Sequence, residues 1–143
     1  MIVNEYKKDL FKVDSANYLV HCISSDFALG AGIAKLFKQR GVKQYLIDHY
    51  ESKWNGIGYA LYAPIDGYAG VYNLVTKERY YNKPTYATLR EALEDLKSRI
   101  PKECKIAMPY IGCGLDKLEW NNVKDIILDV FGDTDIEITI CSL

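Results

Sequence analysis

The chain has 143 residues and carries 18 lysines and arginines against 19 aspartates and glutamates, a net charge of −1. Its length bounds a single domain, 1–143, able to bury about 68–70% of the surface of its unfolded chain. The near balance of charge excludes a protein that grips long nucleic acid by bulk electrostatics, and no run approaches the roughly eighteen apolar residues of a membrane span, so no membrane partner is expected.

Met1-Ile2-Val3-Asn4-Glu5 lacks the basic start and apolar core of a secretion signal. The cysteines Cys22, Cys104, Cys113 and Cys141 form no C-x-x-C pair and no zinc-type spacing, so no metal is expected. Cys22 and Cys141 lie in apolar runs and read as small buried core residues. A reduced, cytoplasmic setting is the simplest expectation.

Residues 18–23 are rich in strand formers and read as a central strand. Gly30-Ala31-Gly32 follows, then a helix-like run at 33–38 and another at 45–50. Residues 57–62 and 71–75 read as strands, and Pro64, Asp66 and Gly67 between them suggest an antiparallel hairpin. Pro84-Thr85 introduces a helix on which Leu89, Leu93, Leu96 and Ile100 share one face, and Pro101 stops it. Residues 106–108 form a short strand ahead of a second glycine loop, Gly112-Cys113-Gly114, which closes on Asp116. Val123, Ile126, Ile127, Val130 and Phe131 mark a last helix with Gly132 as its C-terminal cap. Residues 136–140 alternate as a final strand.

Strands interleaved with helices imply a layered α/β domain, and the hairpin makes its sheet mixed. Ligands of such sheets gather beyond the carboxyl ends of the strands, where both glycine loops and Lys77 fall. Glycine permits close backbone approach and positive φ, and amides turned toward a helix N-terminus suit a phosphate. Two such loops suggest a diphosphate-containing small molecule. Taken singly, each loop is also explained as a turn before a helix. The first is no dinucleotide fingerprint, because Lys35 stands where glycine or alanine is wanted, and no segment fits the Walker pattern.

Asp116 has an ordinary explanation near a helix start, and a lysine at a strand end is usually just solvated. As a nucleophile Lys77 would need a proton acceptor, since a lysine amine is overwhelmingly charged at neutral pH; a nearby carboxylate would serve. Cys113 with His21 or His49 as base is the thiol-hydrolase alternative, and no spacing supports it: His21 lies inside a strand run and His49 inside a helix-like run.

The sequence resembles the macrodomains, in particular their terminal ADP-ribose protein glycohydrolase branch. The likeness runs from Lys8-Asp9-Leu10-Phe11 to Leu143 and is carried by several separated matches in order. These are His21-Cys22-Ile23-Ser24 with Gly30-Ala31-Gly32-Ile33-Ala34, Thr76-Lys77 with Lys83-Pro84-Thr85-Tyr86, and Met108-Pro109 with Ile111-Gly112-Cys113-Gly114-Leu115-Asp116 and Trp120. The resemblance implies a three-layer α/β/α fold with a mixed central sheet, and a cleft that binds ADP-ribose without a cofactor. It places Asp9 and Leu10 near the adenine, and Tyr110, Ile111, Gly112, Cys113, Gly114, Leu115 and Asp116 around the diphosphate and distal ribose. Ser24, Gly30, Ala31 and Gly32 would border that ribose, and Leu143 would close one side.

The same resemblance implies that Lys77 attacks the anomeric carbon and that Asp116 handles the proton. The expected partners are proteins mono-ADP-ribosylated on acidic side chains, O-acetyl-ADP-ribose or ADP-ribosylated nucleic acid, met by a monomer. A non-catalytic ADP-ribose reader and an ADP-ribose 1″-phosphate phosphatase are the rival expectations. The chain departs from the pattern at Lys8, Tyr110 and Cys141, where relatives carry glycine, a basic residue and an aromatic.

Overall fold

A computed structural model describes residues 1–50 and 56–143. Its centre is a six-stranded sheet of β1 (Ile2–Lys7), β2 (Tyr18–Ser24), β3 (Tyr59–Ala63), β4 (Gly70–Lys77), β5 (Lys105–Met108) and β6 (Glu137–Ser142). The spatial order is β1-β6-β5-β2-β4-β3. Every neighbouring pair is parallel except β3 with β4, the expected hairpin, so the sheet is mixed.

Helices cover both faces because the strands alternate their side chains. Val20, Leu74, Ile106, Met108, Ile138 and Ile140 pack with α3 (Tyr86–Arg99) and α4 (Trp120–Phe131). Leu19, Ile23, Val71, Val75, Ala107 and Cys141 point the other way, toward α1 (Gly32–Gln39) and α2 (Val42–Tyr50). The result is the expected three-layer α/β/α arrangement. Among the described residues no helix is long and apolar enough to cross a membrane.

Local chemistry explains the helix limits. Thr85 caps α3 by accepting the Thr88 amide at 3.1 Å while Thr88 Oγ1 accepts the Thr85 amide at 3.1 Å, a reciprocal box. At the end of α4, Gly132 is the cap but is right-handed, with φ −59 and ψ −26, not the left-handed cap its identity suggested. Glycine is needed there for space: a Cβ would lie 2.8 Å from the Leu128 carbonyl oxygen.

The strand β1 has no counterpart among the elements expected from sequence. Its residues are mostly exposed, with Ile2 at 60% and Tyr6 at 51%, so no apolar pattern announces it. It is an edge strand, created by pairing with β6.

Candidate active site

Because β1, β2, β4, β5 and β6 run parallel, their carboxyl ends open on one edge, and a cleft of about 1030 Å³ lies there. Every residue expected at the site lines it. Asp9 and Leu10 follow β1, and Ser24, Gly30, Ala31 and Gly32 come from the end of β2 and the start of α1. Lys77 ends β4, the segment from Tyr110 to Asp116 follows β5, and Leu143 follows β6.

Lys77 and Asp116 meet. Lys77 Nζ lies 2.7 Å from Asp116 Oδ1, with side-chain exposures of 14% and 16%. The helix-start explanation of Asp116 does not hold, since α4 begins only at Trp120 with Glu119 as its cap. Register pairing sets Lys77 beside Ser24 across the β2–β4 ladder, so the ammonium, the carboxylate and a hydroxyl occupy one end of the cleft.

The glycines of the two loops are not equivalent. Gly32, at φ +59, opens α1, and a Cβ there would meet no protein atom within 4 Å. Gly112 has φ +72, and a Cβ would press to 2.9 Å from Leu118 Cδ1. Gly30 and Gly114 do not use positive φ. The second loop folds on itself through Leu118 N to Gly112 O at 2.8 Å and Lys117 N to Gly114 O at 3.1 Å. Lys83 Nζ ties it down by donating to Leu115 O at 2.7 Å. The amides of Gly112, Gly114, Leu115 and Asp116 donate to no protein acceptor among the described residues. With the N-terminus of α1 at the same cleft, they make a setting suited to phosphate oxygens.

Asp9 accepts the Phe11 amide at 3.0 Å and so caps the short 3-10 turn Leu10–Lys12, and Leu10 itself is buried. Tyr110 does not replace a basic residue in kind: its ring packs on Trp120 with centroids 4.7 Å apart. Trp120 Nε1 in turn donates to Glu5 Oε1 at 3.2 Å. The Lys124 hydrogen bond to Glu5 outweighs the opposing effect of burial and holds that carboxyl below the usual range. Leu143 is an exposed rim residue.

Sequence reasoning missed Asp26. Its Oδ1 accepts Ser24 Oγ at 2.5 Å and the Ala28 amide at 3.2 Å, and Oδ2 accepts the Tyr80 amide at 2.9 Å. Burial opposes ionisation, yet these bonds, with the Arg79 charge, keep its carboxyl below the ordinary range. The loop it holds places Phe27 and Leu29 at positive φ, and both side chains are buried. The available signal was Ser24-Ser25-Asp26 at a strand end, a polar turn signature. Tyr80, exposed at the cleft mouth, was missed as well.

The cysteine alternative finds no support. Burial raises Cys113, whose thiol donates to Ile111 O at 3.3 Å. Cys22 packs against the core as expected, but it is only half-buried and also lines the cleft. Burial, followed by the Asp116 and Cys113 charges, pushes it up to about 12. Cys141 is buried, as expected. His49 Nδ1 faces the Tyr45 carbonyl at 2.9 Å. His21 is fully buried, stacked on Phe37, with Nε2 2.5 Å from Asn73 Oδ1. Because Asn73 Nδ2 donates to Leu61 O, its Oδ1 faces the ring, and the neutral Nε2–H tautomer results. Among the described residues no group of three or more His, Cys, Asp or Glu side chains could hold a metal.

Burial lowers His21 to about 4 from 6.5. The unfolded chain therefore binds the proton first on acidification. The stabilising contribution is fully present above pH 6.5 and lost as pH falls toward 4, about 3 kcal/mol in all. Urea denaturation at pH 7 and pH 4.5 should show a smaller loss for His21→Gln than for the unaltered protein. Equal losses would contradict a neutral buried ring.

No family model matches the sequence. Among solved structures, the macrodomain of Thermus aquaticus DarG superposes with a TM-score of 0.83 at 21% identity, over 99% of each chain. Thermosipho africanus DarTG, solved in complex with ADP-ribose, gives 0.81 at 19% identity, over 99% of this chain and 42% of that one. These establish the fold as that of a macrodomain. The ADP-ribose glycohydrolase OARD1 of Bos taurus is 45% identical over 141 residues, covering 96% of this chain and 89% of that protein. The OARD1 of Homo sapiens is 43% identical over the same span. The chain belongs to the macrodomain family, in its OARD1-like branch.

Proposed function

We propose that the chain is a hydrolase that removes mono-ADP-ribose from acidic side chains, with Lys77 as nucleophile and Asp116 as proton carrier. The contact of Lys77 Nζ with Asp116 Oδ1 at 2.7 Å inside the cleft carries this reading. Relatives named for ADP-ribose glycohydrolase activity support the substrate class. Asp116 takes a proton from the Lys77 ammonium, and the freed amine bonds to the anomeric carbon of the distal ribose. The bond from that carbon to the acceptor oxygen breaks, and the acceptor leaves as a carboxylate. Water then replaces the amine at the same carbon and gives its extra proton to solvent, while Asp116 returns the proton it took to the freed Lys77 amine. A carboxylate is a good leaving group, so the reaction as written calls for no metal and no cofactor.

Where the acetyl of O-acetyl-ADP-ribose sits on the anomeric oxygen, the same step would release acetate, because the bond broken is the same. The reading is of a monomer acting in the cytoplasm, in keeping with four free cysteines. Incubation with a glutamate-linked mono-ADP-ribosylated protein tests it: free ADP-ribose and a restored acceptor are expected. Binding of ADP-ribose without release would make the protein a reader. Release only from ADP-ribose 1″-phosphate, or only from a modified nucleic acid, would transfer the reading to those substrates.

A further inference from the structure

Ser24 and Asp26 form a hydrogen-bonded pair at the cleft that the mechanism above does not use. The Ser24 hydroxyl has one proton, and it is given to Asp26 Oδ1 at 2.5 Å. The hydroxyl cannot turn away cheaply, because Asp26 is itself fixed. The Ala28 amide reaches the same oxygen at 3.2 Å, and the Tyr80 amide reaches Oδ2 at 2.9 Å. Three donors thus converge on one carboxylate, which has only lone pairs to present. Ser24 is 4% exposed, lines the cleft, and receives no protein donor at Oγ among the described residues. Its remaining capacity is to accept.

We infer that Asp26 sets the specificity of this end of the cleft by holding Ser24 Oγ as an obligate acceptor, selecting a ligand that presents a hydroxyl there over one that presents an anionic oxygen. The inference rests on the reading that the cleft takes ADP-ribose. The distal ribose of that molecule carries hydroxyl donors, whereas ADP ends in ionised phosphate oxygens. A free serine could rotate its proton toward either ligand. One locked onto a carboxylate can welcome only the donor. Asparagine cannot substitute. If its oxygen faces Ser24 and Ala28, its NH2 meets the Tyr80 amide; if flipped, its NH2 meets the Ala28 amide.

Calorimetric titration of ADP-ribose and of ADP tests this, and it reads binding, so it does not depend on turnover. The unaltered protein should prefer ADP-ribose. Asp26→Asn should lower that preference about tenfold, with ADP affinity reporting that the cleft is still folded. Asp26→Ala, which frees the Ser24 proton without opposing two donors, should act in the same direction. Ser24→Ala should match the loss, and combining it with Asp26→Asn should add nothing further.

Full preference in the Asp26 variants would overturn the inference. Should both Asp26 variants lose ADP binding altogether, Ser24→Ala decides, and full preference there overturns it. An unaltered protein that binds neither nucleotide would sink the ADP-ribose reading itself. Absent hydrolysis with intact ADP-ribose preference would sink only the catalytic one.

Discussion

Lys77→Ala is expected to lower release of ADP-ribose from glutamate-linked substrate by about a thousandfold or more, with affinity for free ADP-ribose largely kept. The cleft is lined by residues that follow five strands, so truncating the Lys77 side chain leaves the backbone of the second glycine loop in place. Asp116→Ala should fail differently. The amine loses its proton acceptor, and an adduct that does form on Lys77 loses the group that helps to resolve it. Intact mass measurement should then show a fraction of the Asp116→Ala protein carrying one ADP-ribosyl group, and none in the double variant. On the proposed mechanism the two residues act as a unit, so the double variant should be little worse than the worse single one. Unchanged turnover in both single variants would leave the 2.7 Å pair as a structural ion pair and return the protein to the reader class.

Phe37→Ala is expected to cost about 3–5 kcal/mol, a large part of the roughly 5–15 kcal/mol that holds a domain together. Phe37 is fully buried and fastens α1 to the sheet. Its ring stacks on His21 with centroids 4.0 Å apart and meets Phe11 at 5.1 Å. Phe11 in turn lies beneath the Arg40 guanidinium, 4.2 Å from the ring centroid. Truncation leaves a void between a strand, a helix and the segment carrying Asp9. Urea unfolding measures the cost, and a value under about 1 kcal/mol would mean that the site collapses freely. Because α1 begins at Gly32, ADP-ribose binding should weaken in this variant even at temperatures where it stays folded.

Much of the fold was legible because periodicity reports burial. The apolar run of β2, the fully buried β4, and the single faces of α3 and α4 each announce an element whose partner surface must exist. Thr85 at the start of α3 and Pro101 just past its end marked limits through local hydrogen bonding, which needs no tertiary context. Where burial was slight the signal failed: β1 has mixed polarity because it lies at the sheet edge. Gly132 shows a related limit. Its identity was informative, but the reason was a nearby carbonyl and not a left-handed turn.

The site divides along the same line. The order of its motifs along the chain determined which residues reach the cleft, because parallel strands all deliver their carboxyl ends to one edge. Composition and spacing also offered no support for cysteine or metal chemistry. Contacts between distant segments were beyond that reach. Lys77 and Asp116 are 39 residues apart, and only the packing of α3 behind the sheet, with the return through β5, brings an ammonium to a carboxylate. Asp26 gathers donors from its own turn and from Tyr80, 54 residues on, and Tyr110 turns to Trp120 because β1 and α4 close around it. A sequence states which groups are available and where local geometry sends them. Which groups then meet depends on how separate elements share buried surface, and that is settled by the whole chain at once.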